Sequence, residues 1–227
     1  MKTIVVIGTS HSTKTYSPSY IKALETVGTV KNLAAHGHGI DTYFPRVRSQ
    51  LAVPDKNSVT NAIFIIEAPH HTRYTEFMNE KGYTPFSYAK EEFWTENEYM
   101  RYLAFYSKTV LLAENEYWPE IRSSRNDLKA LQRIKVLANE KLELEDNIIK
   151  CAALDGWIKN NGHDVYWWTA NNKLLHSYSY PFDLILNKPL FEYFPDRKLY
   201  SDGYHLDDKY FGPFVEEFFL QKLKINK

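Results

Sequence analysis

Residues 3–8, Thr-Ile-Val-Val-Ile-Gly, open the chain with a short, β-branched, continuously apolar run. Strands buried on both faces, as in a parallel sheet, read this way. Gly8 ends the run and a polar stretch, Thr-Ser-His-Ser-Thr, follows. Residues 18–26 have a helical pattern with Pro18 near the start, where a missing N–H costs nothing. Gly28 closes that helix, and 27–33 reads as a second short strand. Residues 40–51 predict a helix, with Ile40, Phe44, Val47 and Leu51 as its apolar positions. Residues 61–67 contain Ala-Ile-Phe-Ile-Ile, the clearest buried-strand run after the first.

From 74 to 95 the chain is aromatic, charged and weakly periodic, which reads as a long loop or lid. Residues 96–112 have a helical pattern. The longest helical stretch covers 125–160, with Leu128, Leu131, Ile134 and Leu137 spaced at threes and room for a break near 139–145. Asn160-Asn161-Gly162 is its stop signal. Residues 165–169 read as a fourth strand and 183–186 as a candidate fifth. A last helix is expected over 206–224, carrying Phe211, Val215, Phe218, Phe219 and Leu223. Strands alternating with helices predict a parallel sheet covered on both faces, an α/β fold. The expected organisation is one domain over 1–227, with a loop or lid and helical insertion at about 74–125.

Charge and composition narrow the function classes. Lys+Arg and Asp+Glu both number 28, so the net charge is zero, and bulk charge does not point to nucleic acid as a partner. The single cysteine, Cys151, leaves no internal disulfide and no cysteine-based zinc cluster; on a helix it reads as a small buried residue. No apolar run approaches a membrane span, and the first apolar run is too short for a signal-peptide core. The expectation is a cytoplasmic protein with no membrane partner.

Ligands of an open parallel sheet sit beyond the carboxyl ends of its strands. Six of the eight histidines fall just past the first three expected strands or just before the last helix, a clustering that random placement does not favour. The first strand is followed by Gly8-Thr9-Ser10-His11-Ser12, the second by His36-Gly37-His38-Gly39, and the third by Pro69-His70-His71-Thr72-Arg73. Ser201-Asp202-Gly203-Tyr204-His205-Leu206 precedes the last helix. A carboxylate three residues before a histidine, with glycine between, can fold back to hold one ring nitrogen and leave the other as a base. A serine hydroxyl needs such a base before it is a useful nucleophile, and Ser10 is the candidate. The backbone N–H groups of Ser10 and Gly37, on neighbouring strand ends, suit an oxyanion. Each motif also has a plainer use: a serine after a strand caps or turns the chain, and Asp-Gly is a common turn.

Ile-Val-Val-Ile-Gly-Thr-Ser-His-Ser resembles the first block of the SGNH (GDSL-like) hydrolases, a strand followed by Gly-Asp-Ser. Asn32-Leu33-Ala34-Ala35-His36-Gly37 is similar to the second block, and Asp202-Gly203-Tyr204-His205-Leu206 to the last, Asp-Gly-x-His-Leu followed by a helix. The last block is the most specific, and the three together span nearly the whole chain. The resemblance implies a three-layer α/β/α domain with a flavodoxin-like parallel sheet. It also implies a serine esterase needing no cofactor: Ser10 as nucleophile, His205 as base and Asp202 as its orienter. Ser10 and Gly37 would form the oxyanion hole, and the substrate would be a small-molecule or carbohydrate ester, for instance an acetyl ester. Hydrolysis and acyl transfer use the same acyl-enzyme and are not separated.

Two positions depart from the family. Thr9 replaces the Asp that precedes the nucleophile, and Ala68-Pro69-His70-His71 stands where the family has Gly-x-Asn-Asp. An imidazole N–H can donate as the Asn amide does, so His71, or His70, is the expected third oxyanion donor. A solvated strand end is the plainer reading of both histidines. Arg73 is a candidate for holding an anionic or sugar substrate, with a surface salt bridge as its plainer use, and the aromatic residues between Tyr74 and Trp94 are candidates to line the site. Two other classes compete: a metal-dependent hydrolase built on His36, His38 and Asp41, which partly resemble a metallo-β-lactamase motif, and a non-catalytic binding module of the same fold.

Overall fold

Lys2–Ile7 forms β1, a strand whose Ile4, Val5, Val6 and Ile7 are all without solvent exposure. The computed structural model describes residues 2–35, 39–51, 59–70, 73–77, 83–87, 140–170, 183–200 and 205–223. After β1 come α1 (Pro18–Glu25) and β2 (Gly28–Asn32), then a 3-10 turn, Ile40–Thr42, leading into α2 (Tyr43–Leu51). Next are β3 (Ile63–Glu67), β4 (Arg73–Phe77), β5 (Tyr83–Ser87), α3 (Glu140–Asn160) and β6 (Asp164–Trp168). The chain closes with the short α4 (Leu190–Tyr193) and α5 (Asp208–Phe214), which continues through a π-helical stretch, Val215–Leu220. Local signals set the ends. Pro18 opens α1, Gly162 follows α3 at a φ of +79°, where glycine carries no steric penalty, and the Asp207 carboxylate caps α5 by accepting from the Lys209 N–H at 3.1 Å.

Four strands make a parallel sheet in the order β2-β1-β3-β6. Ile4 of β1 lies opposite both Val30 of β2 and Ile63 of β3. The chain therefore leaves β1 toward one side and returns on the other, which makes the carboxyl ends of β1 and β3 the switch point of the sheet. Alternate residues feed two cores. Ile4, Val6, Ile63, Ile65 and Trp168 pack with Tyr20 and Leu24 of α1 and with Phe211 and Phe214 of α5. Val5, Ile7, Phe64, Ile66 and Trp167 pack with Val47 of α2 and with Cys151, Leu154 and Ile158 of α3. Helices thus cover both faces of a parallel sheet, the α/β arrangement expected. Burying each large apolar side chain is worth about 1.5–3 kcal/mol, so the two cores together outweigh any single polar contact in the fold. Cys151 is fully buried, and burial, helped by the Asp155 charge, pushes its thiol well above the ordinary range.

The structure differs from the sequence reading in three places. Within the expected loop, 73–77 and 83–87 form an antiparallel pair in which Thr75 faces Pro85. Residues 183–186 give one parallel bridge, Trp167 to Leu184, and no named strand. The last helix starts at Asp208 and changes to π geometry after Pro213. The helix expected over 96–112, and the part of the long helix before 140, lie outside the described residues. Among the described residues no helix is long and apolar enough to cross a membrane.

Candidate active site

Just past β1 the chain turns sharply. Ser10–Ser12 form a 3-10 turn in which the Ser12 N–H donates to the Thr9 carbonyl at 3.1 Å, and the Thr13 N–H and hydroxyl donate to the Ser10 carbonyl at 3.1 and 2.8 Å. Asn32, at the end of β2, donates from Nδ2 to the Ser12 carbonyl at 2.9 Å, and the Ala35 N–H donates to the Gly8 carbonyl at 3.0 Å. The neighbouring strand end thus pins the turn.

A carboxylate from β3 pins it from the other side. Glu67, 2% exposed, accepts from the Thr9 N–H at 2.9 Å, the Thr9 hydroxyl, His11 Nδ1 at 3.2 Å and the Ser12 hydroxyl at 2.7 Å. Burial alone would push its carboxyl up. The hydrogen bond and charge of His11, with the bonds from Thr9 and Ser12, outweigh burial and hold it below the ordinary value. The Tyr43 hydroxyl donates to the Glu67 carbonyl at 2.8 Å and fixes its backbone. Gly8 makes this approach possible: a Cβ there would lie 2.5 Å from Ser12 Oγ and 2.7 Å from Glu67 Cβ. Tyr20 is buried nearby, and burial first and the Glu67 charge second raise its hydroxyl far above the usual range.

His205, just before α5, comes to this turn from the far end of the chain. Its ring lies 5.2 Å from the His11 ring and stacks on Tyr16 at 4.1 Å, with planes 19° apart. Phe191 of α4 meets His11 edge-on at 5.3 Å. His11 Nε2 is buried with no hydrogen-bond partner among the described residues. Ser10 is 2% exposed and His205 8%, so both lie beneath the surface.

Ser10 stands in the turn just past β1, and the His205 ring reaches the next residue of that turn, His11, with ring centroids 5.2 Å apart. His70 follows β3 and is 1% exposed, so the solvated reading of that residue is wrong: it sits inside the protein. Arg73 belongs to β4, paired with Ser87, and not to an open loop end. Asp202, Gly37 and His71 lie outside the described residues, as do His36 and His38 of the metal reading. Among the described residues no group of three His, Cys, Asp or Glu is placed to hold a metal ion. Sequence reasoning missed Glu67, the only acid in Ile63–Glu67, and gave no role to Asn32, Tyr16 or His11. The signal for Glu67 was a charge at the end of a fully buried strand, where a carboxylate needs partners. No family model matches the chain, and neither a curated protein nor a solved structure does.

Proposed function

We propose that the chain is a serine ester hydrolase of SGNH type, with the flavodoxin-like three-layer fold of that family. The observation that carries this reading is the delivery of His205 to the Ser10 turn, with the His205 and His11 rings 5.2 Å apart at the switch point of a parallel sheet. In this reading Ser10 Oγ attacks the acyl carbon and its proton passes to His205. The tetrahedral intermediate then collapses, expelling the alcohol with that proton. Water, deprotonated by His205, attacks the acyl-enzyme and regenerates Ser10. Asp202 orients His205. The Ser10 and Gly37 amides, with His71, hold the oxyanion.

Such chemistry uses the protein's own groups and calls for no cofactor. The substrate class is a small acyl ester, with an acetyl group on a carbohydrate as the leading candidate. Because Ser10 is 2% exposed, the groups above it must part for the ester to reach it. A fluorophosphonate probe tests the assignment directly. The expected result is one covalent adduct located on Ser10 by peptide mass spectrometry and absent from Ser10→Ala. A native protein that takes no label and turns over no ester would support the binding-module alternative instead.

A further inference from the structure

Thr9 stands where the resembling motif carries a carboxylate, and the structure places a carboxylate at the same turn from another strand. Glu67 reaches the turn through three residues, Thr9, His11 and Ser12. It takes the N–H and hydroxyl of Thr9, the ring N–H of His11 and the hydroxyl of Ser12, which flank Ser10 on both sides. Ser10 stands between them, and its hydroxyl makes none of these four bonds. The His11 ring, held at Nδ1 by Glu67, also meets the rings of His205 and Phe191. One buried anion therefore touches the scaffold of both reacting groups. Its position is fixed in turn by β3, which runs beside β1 in register from Ile4–Ile63 to Ile7–Ile66.

We propose that Glu67 is the positioning residue of this site, setting Ser10 through Thr9 and Ser12 and setting His205 through His11; this rests on the esterase reading above. A carboxylate in this place does more than an apolar filler. Four donors converge on two oxygens, and each donor left unmatched in a dry interior would swing toward another acceptor and carry the turn with it. A displacement of about 1 Å at a reacting group costs about 10² in rate. The His11 ring meets His205, which stacks on Tyr16, and Phe191 of α4, and the Tyr20 hydroxyl feels the Glu67 charge.

The test uses the full chain with Glu67→Gln, which keeps the shape and removes the charge, and Thr9→Val, which deletes one hydroxyl donor at nearly constant volume. Hydrolysis of p-nitrophenyl acetate is measured per folded molecule, beside the imidazole NMR signals of His11 and His205. The expected result for Glu67→Gln is a kcat lower by about 10²-fold with KM within about twofold, because the loss is felt in the transition state. Thr9→Val is expected to move kcat the same way by a smaller factor, and it decides the matter if Glu67→Gln fails to fold. In Glu67→Gln the His205 ring signals should shift together with those of His11. A folded Glu67→Gln protein with wild-type kcat and unmoved His205 signals would overturn the proposal and leave the Ser10 assignment intact. A wild-type protein without esterase activity would instead remove the esterase reading, and the His205 signals alone would then show whether Glu67 sets that ring.

Discussion

His205 and Tyr16 lie face to face, with ring centroids 4.1 Å apart and planes tilted by only 19°. The two residues come from opposite ends of the chain, and the contact fixes the plane of the imidazole beside the Ser10 turn. Such aromatic pairs contribute about 0.5–1.5 kcal/mol. Tyr16→Phe keeps the face and should leave ester turnover near wild type. Tyr16→Ala removes the stacked face and should lower kcat by about two- to tenfold, the same energy expressed as a rate. Steady-state kinetics on p-nitrophenyl acetate check this, and equal rates in the two variants would remove the stacking role.

Ser10→Ala should abolish ester hydrolysis while the protein keeps its fold. The hydroxyl is buried in a turn held by backbone and by Glu67, and the alanine variant retains every one of those bonds. Unfolding curves and turnover measured on the same preparation decide it: unchanged turnover would exclude Ser10 as the nucleophile.

The rate should depend on pH through His205, which acts as a base only when neutral. Turnover is expected to rise with pH as the imidazole loses its proton. His205→Gln should remove that limb and lower kcat by about 10²–10⁴-fold. A flat profile between about pH 5 and 8, with chemistry rate-limiting, would contradict the assignment.

Glu67 predicts a second pH effect, on stability. Its carboxyl is held below its ordinary 4.5 in the folded protein. The native state therefore binds fewer protons than the unfolded chain, so the contribution is present above about 4.5 and lost as pH falls through the lower folded value. Thermal midpoints should decline steeply under acid, and Glu67→Gln, less stable at neutral pH, should show a shallower decline. Parallel slopes for the two proteins would locate acid sensitivity elsewhere.

His163 adds a milder dependence nearer neutrality. Its Nδ1 accepts the Ala62 N–H at 3.0 Å, a bond that only the neutral ring can make in this orientation. Burial lowers its affinity for a proton below the ordinary 6.5, against a smaller opposing pull from Asp164. Neutral in the fold and more readily charged when unfolded, it stabilises the protein above about 6.5 and less as pH falls below that. His163→Ala should lose stability at pH 8 and flatten the slope between about pH 5 and 7; urea titrations across that range measure both.

β1, β3 and β6 were legible because each carries a short, largely apolar run of the kind a strand buried on both faces requires, whereas β2, with Val30 between Thr29 and Lys31, was placed by the glycine that closes α1. Ser10 was singled out because it follows β1 at the sheet's carboxyl edge, and His205 because it precedes the last helix. Glu67 was not, because its role depends on which strand lies beside β1, and neighbour order is not written in local pattern. The β4–β5 pair was missed for a local reason. Pro85 interrupts β5, and proline is tolerated in a strand with an open edge, as in this two-stranded ladder. A solvated strand end was one of two readings of His70, because it follows β3, and it fails because the residues after β3 are buried through His70.

Gly8 carries no chemistry, yet it ties three positions into one unit of sequence change. A methyl group there would collide with both Ser12 and Glu67. Substitution at any of the three is therefore judged against the other two, and effects at this corner will not add. Gly8→Ala alone should be costly, whereas Gly8→Ala combined with Ser12→Gly removes two of the three close contacts and should cost less than the separate effects together. A drifting sequence can leave this arrangement only by paired steps, so diversity in related sites would appear as correlated exchange among the glycine, the hydroxyl and the buried acid.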